Sequence, residues 1–100
     1  MKRFWIVLVA ALVSTSTPTF AREIEEACLR SDRENASPRL CQCIQKIADE
    51  RLSPEDQVEA ARFFDDPQLA QDTRQSDNPS KERFWERYTE WADRAARICS

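Results

Sequence analysis

From residue 22 onward, apolar side chains return every third or fourth position, the spacing that lines one face of an α-helix. Residues 23–34 offer Ile24, Ala27, Cys28 and Leu29, and residues 38–52 offer Leu40, Ile44, Ile47, Ala48 and Leu52. Residues 54–65 carry Val58, Ala61 and the pair Phe63-Phe64, and a short stretch from Pro67 to about Arg74 carries Leu69 and Ala70. The last segment repeats most regularly, through Phe84, Trp85, Tyr88, Trp91, Ala92, Ala95, Ile98 and Cys99. Nowhere does a strict two-residue alternation mark a strand. The pattern predicts an all-α chain, a small bundle of four to five short helices.

The punctuation between these segments agrees with the periodicity. Four prolines follow residues able to cap a helix, at Ser37-Pro38, Ser53-Pro54, Asp66-Pro67 and Asn78-Pro79. Proline suits the first helical position, where its missing N–H would go unpaired anyway, and it pushes the residue before it into the extended geometry of an N-cap. Each pair therefore predicts a helix start, most strongly at Ser53, where Glu55 and Asp56 put negative charge in the first turn. The chain contains no glycine. Phosphate-cradling loops and primed hairpin turns need one, so helices joined by short non-glycine connections are the natural outcome.

The first 21 residues follow another pattern. Lys2 and Arg3 precede an unbroken apolar run from Phe4 to Val13, then a small polar tract and Thr19-Phe20-Ala21, with small side chains where a signal peptidase reads. At about 1.5 Å per residue the run falls far short of a ~30 Å hydrocarbon layer. Residues 1–21 are thus expected to be a cleaved export signal, and residues 22–100 a single periplasmic or secreted domain without stable membrane insertion. Cys28 follows Glu25-Glu26-Ala27, a poor context for a lipid anchor. Losing Lys2 and Arg3 takes the net charge from −3 to −5, and the remaining charges alternate in sign. Nucleic acid and anionic membranes, which call for clustered positive charge, are not expected partners.

No histidine occurs. That removes the usual general base, the Ser-His and Cys-His nucleophile pairs and the commonest transition-metal ligand, so neither an enzyme nor a cofactor is expected. Cys28, Cys41, Cys43 and Cys99 are an even set in an exported small domain, the setting of structural disulfides. At 100° per residue, Cys41 and Cys43 stand about 200° apart around their helix and cannot bond each other while it is intact. One ties to Cys28 and the other to Cys99. Cys28–Cys41 with Cys43–Cys99, and Cys28–Cys43 with Cys41–Cys99, stay equally open, and either set would contribute on the order of 3 and 4 kcal/mol through loop closure. A Cys41/Cys43 thiol-exchange centre is the redox alternative, with Cys41 in the first helical turn and Arg39 nearby. A four-thiolate metal site lacks the usual Cys-x₂₋₄-Cys knuckles.

Among other side chains, Phe84, Tyr88 and Trp91 share a helix face and predict core, with Trp85 at its edge and partly exposed; an aromatic groove for a ligand is the alternative, and it needs an opening that sequence does not show. Asp65-Asp66 beside Phe63-Phe64 could hold a cation or guanidinium, although capping by Asp66 and solvation of Asp65 explain them as well. Arg74, opening the polar tract 74–78, is a further candidate binding residue, as is Trp85. Glu90–Arg94 and Asp93–Arg97 have the spacing of surface ion pairs.

Cys41-x-Cys43, Phe63-Phe64-Asp65-Asp66-Pro67, Ala70-Gln71, Arg74-Gln75-Ser76-Asp77, Phe84-Trp85-Glu86-Arg87-Tyr88 and the late Cys99 together resemble a family of small exported four-cysteine helical proteins of alphaproteobacteria. The resemblance covers nearly all of residues 22–100. Some members carry the label "arginine transporter"; without a span through which to move solute, this implies at most a periplasmic binding or accessory part in amino-acid uptake. It supplies no catalytic residues. The expectation is a non-enzymatic binding or interaction protein whose partner, protein or small molecule, the sequence does not name.

Overall fold

The computed structural model describes residues 22–31, 33–34 and 36–100; the export-signal reading falls on residues outside these. Five helices follow one another, α1 (Glu23–Arg30), α2 (Pro38–Arg51), α3 (Pro54–Asp65), α4 (Pro67–Arg74) and α5 (Pro79–Ile98), with no strand among the described residues. All four proline-marked starts occur where expected. Ser37 accepts a hydrogen bond from Leu40 N at 3.1 Å, Ser53 from Asp56 N at 3.1 Å, Asp66 from Gln68 N at 3.1 Å and Asn78 from Ser80 N at 2.9 Å.

Helix ends show what a glycine-free chain does instead of the left-handed cap. No described residue has positive φ. Ser31, Leu52 and Asp66 leave their helices in extended geometry, and Leu52 N and Asp66 N still donate back to Ala48 O and Arg62 O. Asp66 closes α3 and caps α4 at once, so the two helices share a junction of one residue.

α1 packs against α2 and α3, α5 lies on α2 and α3, and α4 bridges α3 and α5. Alanines at the crossings, Ala27, Ala48 and Ala60, are fully buried and let the first three helices approach closely. Ile24, Ile47, Leu52 and Phe63 fill the space between them, and Phe84 and Trp91 bring in α5. Phe63 stands at the centre of the aromatic cluster, edge-on to Phe84 at 5.9 Å and to Tyr88 at 5.0 Å.

Four expectations need correction. α1 stops at Arg30 instead of continuing to 34, because Ser31 turns out of the helix and its hydroxyl donates to Cys28 O at 2.7 Å; Leu29 is left 50% exposed. In α3 the buried face runs through Asp56, Gln57, Ala60, Ala61 and Phe63, which rotates Val58 outward to 40% exposure. Ile98, in the last turn of α5, is 53% exposed. Neither Glu90–Arg94 nor Asp93–Arg97 closes into an ion pair among the described residues.

Polar groups occupy the α3 face because each has a partner. Gln57 Nε2 donates to Leu52 O at 3.3 Å and to Ala48 O at 3.4 Å, while its Oε1 accepts from Gln45 Nε2 at 2.8 Å. Gln45 Oε1 in turn accepts from Glu25 N at 2.9 Å. Arg22 makes no side-chain cap for α1, so a residue of α2 satisfies this otherwise unpaired donor of its first turn. Asp56 receives Arg87 of α5 through two bonds, Nε to Oδ2 at 2.7 Å and Nη2 to Oδ1 at 3.1 Å, a fork that fixes α5 against the start of α3.

Two stability outcomes test this frame by urea unfolding of the oxidised protein. Phe63→Ala should cost about 3–5 kcal/mol, whereas Val58→Ala should change stability by no more than about 0.5 kcal/mol. Gln45→Ala should cost about 1–3 kcal/mol and should collapse hydrogen-exchange protection at the Glu25 amide, which a purely local cap would preserve.

Candidate functional site

A mainly apolar opening lies where α5 crosses α2. On α5, Tyr88, Trp91, Ala92, Ala95 and Ala96 form one wall by the three-and-four spacing of a single face. Leu40 and Ile44 of α2, Phe64 of α3, and Ser31, Arg33, Glu34 and Ala36 of the connection between α1 and α2 line the rest. Together they enclose a cleft of about 500 Å³, within the range of small-molecule sites. It exists because α5 presents three alanines where longer side chains would have met α2.

The walls are held by directional contacts. Trp91 Nε1 donates to Ile44 O at 3.0 Å, pinning the indole to α2. Tyr88 stacks on Trp85 at 5.1 Å and tilts against Trp91 at 5.6 Å, so its ring has little freedom. The Arg33 guanidinium, also in the lining, sits over the Phe64 ring, 5.4 Å from its centroid. Glu34 adds the opposite charge beside it.

Both disulfides border this cleft. Cys28 joins Cys41 with Cα atoms 5.5 Å apart, and Cys43 joins Cys99 at 5.8 Å, which decides between the two open pairings. Cys28 and Cys99 line the cleft at its edges. Cys41 and Cys43 belong to different bridges, so the Cys-x-Cys pair does not form a dithiol couple, and no described cysteine is free.

The other sequence candidates do not converge. Asp65 pairs with Arg30 at 3.5 Å on an exposed surface, and Asp66 caps α4. The Phe64 face beside them is covered by the Arg33 guanidinium of the same chain. Arg74 stands at the far end of α4, whose eight residues span about 12 Å from the Asp66 cap. Its tract turns through Ser76 N to Thr73 O at 3.2 Å and Asn78 N to Ser76 Oγ at 3.2 Å, the approach to the cap of α5. Trp85 is half-buried, packed on Phe63 and Tyr88. None of these four lines the apolar cleft.

Two further hollows differ in character. One of about 550 Å³ between α3, α4 and α5 is edged by Glu55, Asp56, Glu59 and Asp72 against Arg62, Lys81 and Arg87, with Asp56–Arg87 and Glu59–Arg62 already paired. The other, about 420 Å³, opens on the Cys43–Cys99 bridge beside Ser37, Arg39, Leu40, Ile98 and Ser100. Among the described residues no cluster of three acidic, cysteine or histidine side chains could hold a metal ion, and no helix is long and apolar enough to cross a membrane.

In comparisons with known proteins, the chain matches no protein-family model, no curated protein and no solved structure. The geometry therefore carries the functional reading alone.

The sequence places Tyr88 and Trp91 in the core first and in a ligand groove second, and what it does not show is the opening that the alanines beside them line. The signal was present in the Ala92, Ala95, Ala96 run, small residues on the same face as two large aromatics. The Tyr88 phenol, in the chain's single tyrosine, is pushed above its ordinary value of 10.0 by burial, with Arg33 opposing. The unfolded chain releases this proton at lower pH than the folded one, so stability present below pH 10 should fall as pH rises through and beyond that value. Near-ultraviolet tyrosinate absorbance should give a higher midpoint in the native protein than in urea; coincident midpoints would mean the ring is solvated.

Proposed function

We propose that this chain is a non-enzymatic, disulfide-braced binding protein of an oxidising compartment outside the cytoplasm, which holds a compact apolar or aromatic small molecule between α2 and α5. The observation that carries the reading is the cleft itself: about 500 Å³ walled by Tyr88, Trp91, Leu40, Ile44, Phe64 and three alanines, with a charged pair in its lining. Apolar walls supply affinity by removing ligand surface from water, at roughly 25 cal/mol per Å². Arg33 and Glu34 offer one positive and one negative group to a polar end of the ligand. Disulfides at both edges support a pre-formed shape, which lowers the ordering cost of binding. Export and the two bridges fit together, since an oxidising setting is where such bridges persist.

An amino-acid accessory role, implied by the family resemblance, would need carboxylates turned toward a ligand. Asp65 and Asp66 are engaged within the chain instead, Glu34 is among the described residues the one acidic side chain lining the cleft, and the apolar walls favour a less polar occupant.

Indole, a neutral compact aromatic, is a direct probe. Titration by calorimetry or by nuclear magnetic resonance should show saturable one-site binding that perturbs the Trp91 indole N–H and the Tyr88 ring. Ala96 is exposed yet lines the cleft, so Ala96→Trp should fill the space without disturbing the core and weaken indole at least about tenfold, equivalent to 1.4 kcal/mol. Absence of saturation, or equal binding by the variant, would remove the cleft from the protein's function.

A further inference from the structure

The two disulfides differ in how solvent reaches them. Cys28 edges the apolar cleft, yet it and Cys41 are only 3% and 0% exposed, so almost none of that bridge meets solvent. Cys43 and Cys99 are only half-buried, and the hollow of about 420 Å³ opens directly onto their bridge. Thiol exchange requires a thiolate to approach a sulfur in line with the bond that breaks, so reach sets which bridge reacts.

The surroundings of the open bridge also distinguish its two sulfurs. Cys43 lies in the second turn of α2, one turn after Arg39, and both residues line the hollow. The guanidinium, one turn away on the same helix face, favours negative charge on that sulfur. Cys99 stands one residue past the last turn of α5, held by its N–H to Ala95 O at 2.8 Å, and is the less anchored partner.

We infer that the Cys43–Cys99 bridge is a thiol-exchange site, open to low-molecular-weight thiols while Cys28–Cys41 is not. The thiolate of the attacking reagent forms a bond to Sγ of Cys99. The Cys43–Cys99 bond breaks, and its electron pair leaves on Sγ of Cys43 as a thiolate beside Arg39. Cys99 then carries the reagent as a mixed disulfide. A second thiolate attacks the reagent's sulfur, releasing Cys99 as thiolate and the reagent as its own disulfide. Two reagent thiols are oxidised, one protein bridge is reduced, and the two protons lost by the reagent are available to the two new protein thiolates.

The fold around the reacting bridge has other ties. α5 stays attached through the Trp91–Ile44 hydrogen bond, the Asp56–Arg87 fork and the packing of Phe63 on Phe84 and Tyr88. Opening the bridge thus loosens the last turn of α5 and leaves the helices in place. The reaction does not rest on the ligand reading, although Cys99 also lines the apolar cleft and an adduct there changes its wall.

Exposure of the oxidised chain to reduced glutathione under native conditions, followed by acid quench, alkylation and peptide mapping, tests the assignment. Cys43 and Cys99 should be modified at least about tenfold sooner than Cys28 and Cys41, with far-ultraviolet dichroism unchanged. The first intermediate should carry glutathione on Cys99. Equal rates for the two bridges, earlier opening of Cys28–Cys41, or a first adduct on Cys43 would each overturn it. Since the readout is sulfur modification and not ligand binding, a negative result leaves the indole titration standing, and the converse also holds.

Discussion

Everything in this fold is referred to α2, because two sulfurs two residues apart on that helix point to opposite flanks. With 100° of rotation per residue, Cys41 turns toward α1 and Cys43 toward the end of α5. The first and last helices are therefore fixed relative to one rod, and α3 and α4 are held between partners whose positions are already limited. Loop-closure arguments credit the bridge spanning 56 positions with more stabilisation than the one spanning 13. In a domain of this size, whose apolar core alone supplies only a few kcal/mol, such constraints weigh heavily against chain entropy.

Polar chemistry supplements the sulfur chemistry where helices meet. Gln45 and Gln57 occupy positions that an apolar pattern would assign to leucine, and each is tolerated because backbone or amide partners meet its polar atoms. A buried amide in such a network favours one arrangement of helices over near alternatives, since a slipped register leaves donors unpaired. The Asp56–Arg87 fork works similarly at the join of α3 and α5. Arg87 is held charged more firmly by that hydrogen bond than a free guanidinium would be.

Local signals were legible and tertiary ones were not. Ser37, Ser53, Asp66 and Asn78 announced their helices because a capping side chain before proline acts within three residues. The rotation of α3 was illegible, since Val58 faces out only because Gln57 finds Ala48 and Leu52 carbonyls across the interface. The 200° argument excluded a Cys41–Cys43 bond, but choosing between the two remaining pairings required the direction in which α1 leaves. The cleft is a property of three surfaces at once, and the alanines of α5 mean a cavity only when the standoff of α2 is known. Asp65 and Asp66 had the right chemistry for a cation, yet their partners lie within the chain itself.

α1 has no cap of its own; its start is finished by Gln45, a side chain that arrives from a different helix. The beginning of α1 is thereby tied to its packing on α2, and separating those two helices would leave an amide of the first turn without a partner.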